Sequence, residues 1–129
     1  LVRLGVAKDK LIVVSPGKID DAKWAETVRT NYPGSEATHS DQLVAEYARA
    51  ARRVAESKQT LFVDLNALME QQADRYQEFF FDGLHLSDKG SQLLFENLVP
   101  LLNAHILPGL KANFPEWKEL GENVTEINQ

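Results

Sequence analysis

Two short runs, Leu11-Ile12-Val13-Val14 and Leu61-Phe62-Val63-Asp64-Leu65, restrict the fold of this chain more than anything else in it. Neither alternates polar with apolar residues, and a strand without alternation has to be covered on both faces, as in a parallel sheet with helices on either side. Ser15-Pro16-Gly17 stops the first run. Between the runs, Ser40 can cap a helix beginning at Asp41, whose charge suits the positive end of the backbone dipole. Leu43, Tyr47, Ala50 and Val54, with Val44, Ala48, Ala51 and Ala55 beside them, form one apolar stripe at helical spacing as far as about Ser57. Arg49, Arg52 and Arg53 fall around the other side and read as a solvated face. Strand, helix, strand in this order predicts a parallel crossover.

The remaining segments are helices and loops. Residues 17–39 are polar and broken by Asn31, Pro33 and Gly34, with room for one short helix over Ala22 to Arg29, where Trp24 and Val28 stand four apart. Asn66 can cap a short helix carrying Leu68 and Met69. Arg75 to Leu86 has no helical stripe and reads as a loop. Ser87 then caps a longer helix with Asp88 in its first turn; Leu94, Leu98, Leu101 or Leu102, and His105 share a face, and Pro100 should bend it. Leu1 to Ala7 resembles the last turns of a helix, and the final twenty residues are expected to drape over the body. Two strands that each expect cover on both faces cannot complete a sheet by themselves, so neighbouring strands are expected from elsewhere.

With 129 residues the chain is one domain's worth of sequence, 1–129, and 43% hydrophobic against 26% charged residues is the balance of a folded protein. A net charge of -5 leaves no cationic surplus for a phosphate backbone, so nucleic acid is not an expected partner. Cysteine is absent, which removes thiolate nucleophiles and disulfides and suits a reducing intracellular, cytoplasmic setting; the organelle is not readable. No apolar run approaches the roughly 20 residues that cross a bilayer. Leu1 rather than methionine opens the chain, and the expectation is a piece of something longer.

Chemistry concentrates at Asp82 and His85, three apart and just before a helix cap. A carboxylate at that spacing can accept the Nδ1 proton of the imidazole, fixing its tautomer and leaving Nε2 free to take a proton from a nucleophile. The bare pattern is weak, because chance supplies it in roughly one chain in five of this composition. Its surroundings are specific. Phe81-Asp82-Gly83-Leu84-His85-Leu86-Ser87, followed by Lys89-Gly90 and a leucine-rich helix, resembles the last conserved block of the SGNH, or GDSL, hydrolases, and most of all the isoamyl-acetate-hydrolysing esterase group. The resemblance extends back through both strands and the helix between them, and forward to Leu107-Pro108 and Phe114-Pro115-Glu116-Trp117.

That resemblance implies an α/β, flavodoxin-like three-layer sandwich with a parallel sheet, of which only the C-terminal part, two strands and three to four helices, is present. It implies Asp82 as the orienter and His85 as general base and then general acid of a serine ester hydrolase acting through an acyl-enzyme, without cofactor or metal, on a small ester of short acyl chain. The family's Gly-Asp-Ser nucleophile block and the Gly-x-Asn-Asp block that completes the oxyanion hole are absent. They are expected on an N-terminal half of the same domain or on a partner chain that completes the sheet, and the 129 residues alone are expected to be inactive. Gly17 is a lesser departure, in a proline-rich position of the family. Phe80 and Phe81, with Phe79, either wall an acyl pocket or pack in the core. The alternative to the enzyme is a non-catalytic hydrolase-fold subunit retained in a larger assembly. Ser15 and Asp64, at strand ends, read as structural, as do His39 in a polar loop and His105 near a helix end; Asn123-Val124-Thr125 fits a glycosylation acceptor without a secretion signal to support it.

Overall fold

The computed structural model describes residues 5–109. Strand β1 (Ile12–Val14) leads through helix α1 (Asp21–Asn31) and helix α2 (Asp41–Lys58) to strand β2 (Leu61–Val63). Helix α3 (Leu65–Glu70), a 3-10 segment (Ala73–Phe79) and helix α4 (Asp88–Leu101) follow. The strands pair in parallel, Ile12 opposite Leu61 and Val14 opposite Val63, as the crossover requires. The segment expected to end a helix over 1–7 lies largely outside the described residues, and Gly5 to Ala7 are not helical. The last twenty residues and Asn123 lie outside them as well.

Local chemistry accounts for the element ends. The Ser40 hydroxyl accepts from the Leu43 N–H at 3.2 Å and starts α2. At its far end Gln59 adopts the left-handed conformation, φ +56°; the Gln59 N–H donates to Glu56 O and the Thr60 N–H to Ala55 O, a Schellman closure that turns the chain into β2. Helix α3 is capped by Asp64 and not by Asn66: Asp64 Oδ1 accepts from the Ala67 N–H at 2.9 Å, while the Asn66 amide bonds the Gly17 carbonyl. The helix starts earlier than its polar residues suggest because the strand-end aspartate reaches the free amide first. Ser87 caps α4 by accepting from the Gly90 N–H. Pro100 cannot donate to the preceding turn, and the helix passes into a π turn at Leu102–Ile106.

The core lies on one side of this frame. Leu65, Met69 and Phe80 are buried together, with Tyr76, Phe79, Leu86, Leu93 and Leu94 packed around them. Gly17 belongs to this contact, since a Cβ there would stand 2.8 Å from Met69 Sδ. Lys18 ties the loop after β1 to two helices through Asp41 at 3.0 Å and through Glu70. The strands depart from expectation. Only Val63 is buried among their residues, and Val14 is exposed, because each strand has just one paired edge among the described residues. The apolar stripe of α2 is likewise divided: Ala48 and Ala55 face inward, whereas Leu43, Tyr47 and Val54 are exposed.

Candidate active site

A tight excursion carries Asp82 and His85. It is closed by an antiparallel bridge between Phe80 and Leu86 and by the Phe81 N–H donating to the His85 carbonyl at 3.1 Å. Asp82 folds it from within. Its Oδ1 accepts from the Leu84 N–H at 2.9 Å and the His85 N–H at 2.8 Å, an aspartate bending the backbone that follows it. Its Oδ2 lies 2.7 Å from His85 Nδ1. One oxygen therefore sets the turn and the other sets the imidazole. Burial pushes the Asp82 carboxyl up, but the hydrogen bonds from the His85 ring and from the His85 and Leu84 amides outweigh it and hold the carboxyl below its ordinary range. An ionised Asp82 accepts the Nδ1 proton, which leaves Nε2 as the basic nitrogen. The Asp82 side chain is 15% exposed and that of His85 62%, so the carboxylate is sheltered while the imidazole can be reached.

Helix α1 grips the excursion from outside. The Asp20 N–H donates to the Gly83 carbonyl at 2.9 Å, Lys23 Nζ to the Phe80 carbonyl at 3.1 Å, and the Thr27 hydroxyl to the Asp82 carbonyl at 2.8 Å. Gly83 has φ +97°, and a Cβ on it would stand 2.4 Å from the Trp24 backbone nitrogen, so no other residue fits there without displacing the helix. Phe81 stacks on the imidazole with centroids 5.8 Å apart, and the Trp24 indole meets it edge-on at 6.2 Å. Trp24, Lys23 and Thr27 carry no signal of this role in the sequence. Their spacing is that of any helix face, and the turn they hold is more than fifty residues away along the chain.

Phe80 and Phe81 part company. Backbone at Phe80 is extended, φ -124°, so successive side chains point to opposite sides: Phe80 is buried in the core and does not face the His85 cleft, whereas Phe81 is 65% exposed beside His85. Ser15 is buried, its hydroxyl 3.2 Å from Asp64 Oδ1 and accepting from the Asn66 N–H, and Asp64 also pairs with Arg52. Arg52 is thus not merely solvated; it bonds a strand end and lies 5.4 Å from the Phe62 ring centroid. Exposed His39 meets the Trp24 ring edge-on with centroids 6.2 Å apart, and the His105 carbonyl accepts from Lys10. Among the described residues no three His, Asp or Glu side chains gather in a way that could hold a metal ion. A cleft of about 400 Å³ opens along Trp24, Thr27, Tyr32, Phe81 and His85. A larger one, about 520 Å³, lies between the 3-10 segment and α4, but it contains neither Asp82 nor His85, and its Glu78 is bonded by Arg75 and Lys89.

Residues 7–93, which include both strands and the Asp82 turn, match the GDSL-like Lipase/Acylhydrolase family. The chain belongs to this family. It is 31% identical over 125 residues to the isoamyl acetate-hydrolyzing esterase 1 homolog of Bos taurus, covering 95% of this chain and 48% of that protein. The isoamyl acetate-hydrolyzing esterase of Saccharomyces cerevisiae is 28% identical, with 90% and 50% covered. A GDSL esterase/lipase of Arabidopsis thaliana is 33% identical over 97 residues, 71% of this chain and 38% of that protein. This GDSL-like chain therefore spans about half the length of the curated relatives it matches. Its parallel β1–β2 pair flanked by helices is part of the α/β fold of that family. None of the helices among the described residues is long and apolar enough to cross a membrane.

Proposed function

We propose that this chain supplies the Asp–His half of the catalytic triad of a serine ester hydrolase acting on short-chain carboxylic esters. The observation that carries the reading is the doubly engaged Asp82 carboxylate, which holds by Nδ1 an exposed His85 imidazole lining an open cleft and leaves its Nε2 unbound by Asp82. The nucleophilic serine and the oxyanion donors are assigned to an N-terminal half of the same domain, or to a partner chain completing the sheet, since no Gly-Asp-Ser occurs in these 129 residues. His85 Nε2 takes the serine proton as the oxygen adds to the ester carbonyl, and returns it to the departing alcohol oxygen. It then takes a proton from water as the water oxygen adds to the acyl carbon, and gives it to the serine oxygen as that bond breaks and the acid is released. This chemistry needs no cofactor. The relatives named for isoamyl acetate hydrolysis support acetate-sized acyl groups. The test joins the chain to its missing half and compares hydrolysis of a short-chain aryl acetate before and after His85→Ala, with an expected loss of roughly a thousandfold or more in kcat. Unchanged turnover overturns the assignment.

A second reading, a hydrolase-fold subunit that performs no catalysis, draws on one observation: the hydroxyls flanking the turn are already committed, Thr27 to the Asp82 carbonyl and Ser87 to the Glu78 carbonyl. A serine-directed fluorophosphonate separates the two. Labelling of the complete protein at one serine, lost with His85→Ala, supports the enzyme; no labelling supports the subunit.

A further inference from the structure

Resting on the ester-hydrolase reading, we propose that the cleft between α1 and the Asp82–His85 turn is the subsite for the leaving alcohol. Trp24 is its specificity-determining residue, and the alcohols it favours are bulky, flat and apolar. The argument starts from the imidazole. With Nδ1 held by Asp82, Nε2 is the nitrogen that must come within about 3 Å of the alcohol oxygen when the ester bond breaks. In that step the serine oxygen has bonded to the carbonyl carbon and its proton sits on Nε2. The tetrahedral centre re-forms its C=O, the bond to the alcohol oxygen breaks, and Nε2 delivers the proton to that oxygen. Whatever is attached to the oxygen lies against His85, and the acyl group stays behind on the serine.

A cleft of about 400 Å³ lies against His85, and its apolar walls are the rings of Trp24, Tyr32 and Phe81. Tyr32 is 58% exposed and Phe81 65%, so both rings are open to a group entering the cleft. Such walls favour a planar group that stacks. Trp24 is held by packing, because its buried Nε1 has no acceptor among the described residues, so replacing the indole leaves no bonded partner stranded. Contacts in this cleft distinguish one alcohol from another and are indifferent to the acyl chain, and they are empty once the acyl-enzyme has formed.

The experiment uses the complete protein with ethyl and benzyl acetates and the matching butyrates, for wild type, Trp24→Leu and Tyr32→Ala. Both variants are expected to lower the benzyl-to-ethyl ratio of kcat/KM, Trp24→Leu by about tenfold, while the acetate-to-butyrate ratio stays as in wild type. Deacylation, followed as the slow phase after a burst with a nitrophenyl acetate, should keep its rate, because the alcohol has already left. An equal loss on every ester with slower deacylation overturns the proposal, since Trp24 would then only hold His85 or the cleft would be filled by protein. A shift in acyl preference, or an unchanged benzyl-to-ethyl ratio in Tyr32→Ala should Trp24→Leu not fold, overturns it too. A wild-type protein that hydrolyses none of the esters removes the hydrolase reading and this subsite together. An active wild type with unaltered ratios in both variants removes the subsite alone.

Discussion

In the excursion from Phe80 to Leu86, all three oxygens of Asp82 and the carbonyls of Phe80, Gly83 and His85 have donors, supplied partly by the turn and partly by α1. In the sheet beside it, five of six strand side chains remain partly or fully exposed, and the adjoining α2 turns Leu43, Tyr47 and Val54 to solvent. The donors to the Asp82 carboxylate and to these carbonyls lie within the described residues, and the apolar cover of the sheet does not. A hydrogen-bonded turn of a few residues needs only its neighbours, whereas a two-faced sheet needs more strands than this region contains. The orientation of the Asp–His pair is therefore a local property, while the sheet's side chains are left largely uncovered among the described residues.

The comparison is broken most severely by Asp82→Asn in the complete protein. The amide still accepts at one oxygen, but it sets the wrong tautomer of His85, and kcat should fall by about 10³–10⁴-fold with the fold retained; a loss below tenfold in steady-state kinetics means the turn does not govern the imidazole. Gly83→Ala attacks the seam between turn and α1. Backbone strain and the 2.4 Å approach to the Trp24 nitrogen together should cost about 2–4 kcal/mol in thermal unfolding. Gly34→Ala, at a similar φ of +87° but with nothing within 4 Å, isolates the strain alone at about 1 kcal/mol. Equal shifts for the two variants would show that the seam contributes nothing.

The sheet side is sharpened by purifying the 129 residues alone. Self-association or loose packing is expected in sedimentation, and Val14→Lys should reduce association while costing under about 0.5 kcal/mol, since Val14 is already exposed. A monomer with a sharp cooperative transition contradicts this. The smallest effect concerns Glu78, whose carboxyl is held down to about 2 by hydrogen bonds from Arg75 and Lys89. A lowered carboxyl stabilises fully above its ordinary value of 4.5 and ceases to do so as the pH falls through about 2. Melting curves from pH 5 to 2 should therefore drop more steeply for wild type than for Glu78→Gln, and the difference should shrink in high salt because the group is exposed.

The Asp–His pair was legible because its members are three residues apart and precede a serine cap, so local chemistry decides their contact. The caps at Ser40 and Ser87 were legible for the same reason. Asp64 displaced Asn66 as the cap of α3 because strand β2 ends at Val63, a boundary that the unbroken run 61–65 conceals. The inward and outward halves of the α2 stripe look alike in sequence, since alanine and leucine are both apolar; only the placement of neighbours divides them. Trp24 was missed because its partner is Gly83, and a glycine records a close approach without naming what approaches.

The bond from the Asp20 N–H to the Gly83 carbonyl has a consequence for motion. It joins the cap of α1 to the middle of the turn, with Lys23 and Thr27 repeating the attachment one and two turns along. A fluctuation that frees the His85 amide from Asp82 pulls on the same carbonyls that α1 holds, so helix and turn open as one unit. Amide protons at Asp20, Leu84 and His85 should then exchange with solvent deuterium at a common free energy of opening, and any ligand that slows one will slow all three.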